Sequence, residues 1–307
     1  MGYMLEIQNI HKTFNPGTIN EKVALNGVNL NLNPGDFVTI IGGNGAGKST
    51  TLNAIAGVWS VDEGKIIIDG VDITKLSEHK RALYLGRVFQ DPMTGTAATM
   101  SIEENMAIAA RRGERRGLGW GITKKERERY KEALKELDLG LEDRLSSKVG
   151  LLSGGQRQAI TLLMASLKKP KLLLLDEHTA ALDPGTAEKV LNLTRRIVEE
   201  NQLTCLMITH NMQSAIDLGN RILMMDSGNI VLDIGGEEKK DQLTAMMVTH
   251  NMKDAIAHGN RLIMMHEGKI IYDVAGEEKK NLKVADLLAK FEEVSGGEFA
   301  NDRMMLS

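Results

Sequence analysis

The chain predicts an α/β fold, a mainly parallel sheet flanked by helices with an antiparallel β layer beside it. Three observations carry that prediction. The apolar run Phe37-Val-Thr-Ile-Ile41 is followed by Gly42-Gly-Asn-Gly-Ala-Gly-Lys-Ser49 and then by Thr50-Thr-Leu-Asn-Ala-Ile-Ala56, a strand–loop–helix order. Leu172-Leu-Leu-Leu175 ends in Asp176-Glu177, and an unbroken apolar run is the pattern of a parallel strand buried on both faces. Residues 4–10 and 23–30 instead alternate apolar with polar positions, as a half-exposed antiparallel layer does.

The elements follow in order. Residues 42–49 fit G-x-x-x-x-G-K-[ST] without a mismatch, so the core is expected to be a P-loop NTPase core of RecA-like form. Gly42, Gly45 and Gly47 would let backbone N–H groups converge on phosphate oxygens, reinforced by the positive end of the following helix. Lys48 would reach the β- and γ-phosphates and Ser49 would offer its hydroxyl to Mg²⁺; Asn44 and Thr50 complete the nucleotide-binding stretch. A strand at 65–69 stops at the turn signal Gly70, and residues 87–92 close the first half of the core. Residues 93–150 read as helical. Ser101-Ile-Glu-Glu104 and Thr123-Lys-Lys-Glu126 both fit the capping box, and a Gly/Arg-rich connector at 111–120 separates them. Asp183-Pro184 starts another helix, with Asp as N-cap and Pro in the first turn. Cys205 and the doubled methionines at 224–225 and 264–265 sit in apolar strand patterns and are expected in the core.

The tail repeats itself. Residues 203–240 and 243–280 align at an offset of 40 with 22 of 38 positions identical. Two copies are too few for a solenoid, so this is a tandem duplication of one βαββ unit. The expected organisation is a nucleotide-binding core at 1–92 and 151–240, a helical subdomain at 93–150, the duplicate at 241–280, and a C-terminal helix and tail at 281–307.

Composition excludes several classes. The net charge of −3 and 4% aromatic content give neither the field nor the stacking surface of a nucleic-acid binder. No apolar stretch approaches the roughly 18–20 residues that span a bilayer, and no secretory signal pattern is visible at the start. A single cysteine excludes an internal disulfide and suits a reducing compartment. The basic surplus between 111 and 131 reads as a solvated helix face, with contact to lipid headgroups as the alternative.

The P-loop, the run Leu152-Ser-Gly-Gly-Gln156 and the strand ending Asp176-Glu177 together resemble the ATP-binding cassette family, the ATPase subunits of ABC transporters, over roughly residues 3–240. The resemblance implies two ATP sites at the interface of a head-to-tail dimer, built from two identical chains or from this chain and a similar ATPase. In that pattern Asp176 holds Mg²⁺, Glu177 polarises the attacking water, and Gln90 senses Mg²⁺ and the γ-phosphate. Phe14 would stack on adenine. Ser153, Gly154, Gly155 and Gln156 would cover the γ-phosphate of the second subunit, and Asp183 would cross the interface. A switch histidine would contact the γ-phosphate, and the duplication supplies two: His210, favoured by its short connection to the preceding helix, and His250 as the alternative. The chain departs from the family pattern at Ala180, where serine is common, and at His178, where proline is frequent. The resemblance further implies a peripheral subunit on the cytoplasmic face of the membrane. Its partners would be a separately encoded permease and an extracytoplasmic solute-binding protein, with no nucleic acid. The chain is similar to ATPases of importers whose partners handle aromatic amino acids or related small solutes. A soluble non-transport ABC ATPase and a hydrolytically impaired nucleotide binder are the other readings.

Overall fold

The alternating N-terminal runs form β1 (Leu5–Phe14) and β2 (Lys22–Leu32), which pair antiparallel in the computed structural model of the chain. That structure describes residues 2–114, 121–236, 252–257, 259–266 and 269–295. Leu5, Ile7, Leu25, Leu30 and Leu32 point into the core, while the polar positions between them face outward. After β3 (Phe37–Gly42) and α1 (Lys48–Ala56), β4 (Glu63–Ile68) adds to the other edge of β1. Asp69 and Gly70 both take positive φ, 48° and 76°, the tight turn that admits β5 (Val71–Asp72) beside β4. The result is a four-stranded layer in the order β2-β1-β4-β5.

The remaining strands build the central sheet. Short α2 (Glu78–Arg81) leads to β6 (Leu85–Val88), followed by the helical region of α3 (Ile102–Ala110) and α4 (Lys124–Lys135). Then come α5 (Gly154–Ser166), β7 (Leu172–Asp176), α6 (Pro184–Glu200), β8 (Thr204–Ile208), α7 (Met212–Asp217), β9 (Arg221–Asp226) and β10 (Asn229–Gly235). The sheet order is β10-β9-β3-β8-β7-β6, parallel except for the antiparallel edge strand β10.

The four-leucine run is explained by two cores, one on each face of this sheet. Leu172 and Leu174 pack with Leu52 and Ile55 of α1 and with the antiparallel layer. Leu173 and Leu175 pack the other way, with Met106, Tyr130, Leu134 and Ile160 of the helical region. Cys205 lies in that second core, fully buried, where desolvation raises its thiol pKa well above the ordinary value.

Both expected capping boxes form. Ser101 Oγ accepts from Glu104 N at 3.3 Å, and Thr123 Oγ1 accepts from Glu126 N at 3.2 Å. Glu126 also receives Arg111 at 2.8 Å, and its pKa falls to about 2, chiefly through the Thr123 backbone bond and then the arginine. Arg127 pairs with Glu103 at 2.6 Å and Lys131 with Asp143 at 3.6 Å, so part of the basic stretch is paired with acidic residues. Residues 115–120 of the connector lie outside the described residues.

Residues 242–307 make a second compact unit. Its described parts are α8 (Met252–Ala257), the hairpin β11 (Arg261–His266) and β12 (Lys269–Ala275), α9 (Gly276–Lys280) and α10 (Val284–Ser295). The hairpin has the register of β9–β10 moved on by 40 residues: Arg221 pairs with Gly235 and Arg261 with Ala275. Arg221–Asp233 and Arg261–Asp273 form matching ion pairs, each at 2.5 Å. The strand expected around 244–248, and His250, lie outside the described residues.

One expectation fails in this unit. Met225 is 1% exposed, but its counterpart Met265 is 61% exposed. β9 has β3 at its side and places Leu223 and Met225 in the core shared with α1 and the antiparallel layer. Among the described residues β11 pairs only with β12, and its one small core, around Leu262, Val274 and Leu287, takes Met264 and leaves Met265 out. Among the described residues, no helix is long and apolar enough to cross a membrane.

Leu174→Ala, at a fully buried position between the sheet and α1, should cost about 2–5 kcal/mol, measured by equilibrium denaturation in urea. A loss well under that range would show that the two-core account of β7 is mistaken.

Candidate functional site

The loop after β3 is shaped by close backbone approach. Gly42 has φ 148°, and a Cβ there would run into the Met225 carbonyl of β9. Gly47 has φ 102°, and a Cβ there would come within 2.7 Å of the Ala24 carbonyl of β2. Only glycine meets both demands at once. Gly47 is also the N-cap of α1, with no side-chain cap and no acidic residue in the first turn. The free N–H groups and positive end of the helix therefore face the loop, an arrangement that attracts anions.

Lys48 opens that helix, 5% exposed. Its ammonium donates to the Gly42 and Gly43 carbonyls at 2.8 and 3.0 Å. Burial pulls its pKa down, and the carboxylates of Glu177 and then Asp176 work against that. A cavity of about 190 Å³ opens above the loop. It brings together Asn44, Gly45, Gly47, Lys48, Ser49 and Thr50 from the loop with Phe14, Glu177 and His210. Gly42 and His210 line a second, adjoining cavity with Met212 and Met224.

Glu177 follows β7 with φ 44°, left-handed backbone at a non-glycine residue. The conformation is held by its own N–H donating to Ile208 O at 3.1 Å and its carbonyl accepting from Ala180 N at 2.9 Å. Its carboxylate is 12% exposed, and Oε1 lies 2.6 Å from His210 Nε2. His210 comes two residues after β8. Asn211 caps α7 through Ser214 N at 2.8 Å and fixes the turn that carries the histidine. His250 is outside the described residues.

Asp176 ends β7 and pairs with Arg87 Nη2 at 3.7 Å. Burial raises its pKa, while Arg87 first and then Lys48 oppose the rise. Gln90 lies in the bend after β6, and Phe89 O beside it accepts from Gln158 of α5 at 3.4 Å. Neither Asp176 nor Gln90 is among the residues that line the cavity above the loop.

Ser153, Gly154, Gly155, Gln156 and Asp183 form a separate group at the starts of α5 and α6. Ser153 and Gln156 cap α5 reciprocally, at 3.2 Å in both directions, a third capping box that the motif reading passed over. Asp183 Oδ1 accepts from Thr186 N at 3.0 Å. Gly155 is buried where a Cβ would strike the Thr186 side chain. None of these residues lines the cavity above the loop.

Several functional candidates escaped the sequence reading. Lys22, opposite Phe14 in the β1–β2 register, lines the cavity. Trp59 meets Phe14 edge to face, centroids 5.4 Å apart, and Lys12 stands 5.7 Å from the Phe14 ring. A tryptophan just beyond α1 in a chain with 4% aromatics was the available signal. His178 is buried and bonded through Nε2 to Thr194 Oγ1 of α6 at 2.9 Å, so the segment after Glu177 is fastened to that helix.

A strand, a glycine loop, an uncapped helix start and a buried lysine define a P-loop nucleotide-binding protein. A family model described as ABC transporter matches residues 25–180. The chain is 43% identical over 243 residues to a tyrosine transport ATP-binding protein of Clostridioides difficile, covering 78% of this chain and 94% of the relative. A methionine import ATP-binding protein of Corynebacterium diphtheriae is 36% identical, covering 75% and 65% respectively. Among solved structures, a dimeric ATP-binding cassette in a post-hydrolysis state bound to ADP and Pi matches with a TM-score of 0.65 and 32% identity, covering 76% of this chain and 98% of that one. The chain belongs to the ABC transporter family as an ATP-binding, ATP-hydrolysing subunit.

Burial holds His178 at a pKa of about 4, below its ordinary 6.5. The unfolded chain therefore takes up this proton first as pH falls. The stability due to neutral His178 is complete above 6.5 and is lost between 6.5 and 4, a change of about 3 kcal/mol. Urea denaturation across that window should show the decline, and His178→Leu should flatten it. An equal slope in the variant would assign the pH dependence to other groups.

Proposed function

We propose that the chain is the energy-coupling subunit of an ABC importer, hydrolysing ATP to drive an amino acid or similar small solute through a separately encoded permease. The observation that carries this reading is the Glu177–His210 contact at 2.6 Å, in one cavity with Lys48. Glu177 is the general base that polarises the attacking water. His210 Nε2–H donates to its Oε1, which fixes the carboxylate and places the imidazole at the γ-phosphate. Lys48, released from the loop carbonyls, meets the β- and γ-phosphates, and the N–H groups at the start of α1 hold them. Phe14, braced by Trp59, stacks on adenine, and Lys22 adds positive charge at the rim.

Among the described residues, no cluster of three or more His, Cys, Asp and Glu side chains could hold a metal by itself. Ser49, Asp176 and Gln90 offer only oxygen donors, a set too small for a protein-only cage and suited to Mg²⁺ completed by phosphates and water. Bound there, Mg²⁺ would neutralise charge on the β- and γ-phosphates.

The cavity, at about 190 Å³, is smaller than the roughly 300–1,000 Å³ of ligand pockets. A bound nucleotide would project from it and need a second wall. Ser153 to Gln156 and Asp183, grouped away from the cavity, would supply that wall to a second subunit in a head-to-tail homodimer, or in a heterodimer with a similar ATPase. The dimeric form of the solved relative supports this arrangement. The relatives named for tyrosine and methionine support an amino-acid importer with an extracytoplasmic binding protein. The subunit would then sit on the cytoplasmic face of the membrane.

Glu177→Gln should lower ATP turnover by about 10²–10⁴-fold and leave an ATP-bound dimer in size-exclusion chromatography. Unchanged turnover would remove Glu177 from its role. Lys48→Ala should act earlier and weaken nucleotide binding in direct titration. If its affinity equals that of the wild type, the lysine does not hold the phosphates.

A further inference from the structure

Arg87 is a largely buried charged side chain beside Asp176 to which this mechanism gives no task. It pairs in register with Leu174 of the parallel neighbour β7, so the two side chains share a face of the sheet. Asp176, two residues beyond Leu174, shares that face as well. It is the face covered by α1, where Leu52 and Ile55 meet Leu172 and Leu174. A cation on an apolar sheet face is costly unless paired.

Three contacts place the guanidinium. Nη2 donates to Asn53 Oδ1 at 2.7 Å and lies 3.7 Å from Asp176 Oδ2. The guanidinium carbon stands 4.5 Å from the centroid of the Phe89 ring. Nε is buried without a hydrogen-bond partner, so the orientation favours the carboxylate and the amide over full satisfaction of the arginine's own donors. Asn53 belongs to α1, the helix that Lys48 opens, and Phe89 adjoins Gln90. One guanidinium thus joins the phosphate-loop helix, the segment leading to Gln90 and the carboxylate at the end of β7.

We propose that Arg87 is a positioning residue for Asp176, holding its carboxylate in the orientation that receives nucleotide-bound Mg²⁺. The inference rests on the metal role assigned to Asp176 above. A ligating carboxylate free to rotate loses affinity for its metal, which is why partners of the ligands count nearly as much as the ligands do. Asn53 secures Arg87 in turn, so the carboxylate is referred to α1 rather than to its own strand alone.

The test is a titration of trinitrophenyl-ATP onto the wild-type chain, Arg87→Met, Arg87→Lys and Asn53→Ala, each in EDTA and in excess Mg²⁺, with thermal unfolding of every variant alongside. In EDTA all four should bind alike. Mg²⁺ should tighten binding to the wild type, and Arg87→Met should lose about 10-fold or more of that gain. Arg87→Lys should recover part of it, and Asn53→Ala should show a smaller loss in the same direction. A purely structural arginine would lower the unfolding temperature and leave the Mg²⁺-dependent gain whole. An undiminished gain in folded Arg87→Met overturns the proposal; where that variant does not fold, an undiminished gain in Asn53→Ala does so. Wild-type chain that binds no nucleotide in either buffer would instead refute the nucleotide reading itself.

Discussion

Four charges withdrawn from water at the carboxyl ends of β3, β6 and β7 set the terms for this molecule. Lys48, Arg87, Asp176 and Glu177 are each largely buried, and none sits there at its ordinary cost. Desolvation works against the charged forms of Lys48, Arg87 and Asp176, and opposite charges within the group work back. The sheet makes this tolerable because parallel strands deliver these residues to one rim, where carbonyls of the glycine loop bond Lys48 and the side chain of Asn53 bonds Arg87. The same rim presents the unbonded N–H groups of α1.

The hydrophobic organisation serves that rim. β7 and β8 bury side chains in close-packed cores on both faces, so any rotation of either strand would disrupt packing on both sides and its parallel ladder bonds. Asp176 and Glu177 therefore emerge from a strand held by packing on both faces and by a neighbour on each side. Glu177 adds a left-handed backbone, and His178 fastens the following residues to α6 through Thr194. Precision at the candidate base thus comes from packing and backbone bonds that lie outside the cavity.

Much of this was legible in the sequence, for reasons of range. The glycine loop, the capping boxes at Ser101 and Thr123 and the cap at Asp183 are local devices whose partners lie within a few residues. Four leucines in a row could announce a strand covered on both faces. Arg87 could not be read in the same way, because its partners Asn53 and Asp176 stand 34 and 89 positions away and meet it only across strands and a helix. Lys22 and Trp59 enter the site only through the β1–β2 register and the edge-to-face contact with Phe14. The doubled methionines mark the opposite error. Identical dipeptides predict identical surroundings, yet burial is decided by neighbours, and among the described residues β11 has only β12 beside it, whereas β9 lies between β3 and β10.

The near-contact of Gly155 with Thr186 has a mechanical meaning. Two helices that touch backbone to side chain at their leading ends behave like meshed teeth, since neither can tilt without pushing the other. A displacement entering at Ser153 would thus be handed to the start of α6 with little slack, and from there to the stretch that His178 anchors. A methyl group at position 155 would strike the Thr186 methyl, so one of the two would have to give way.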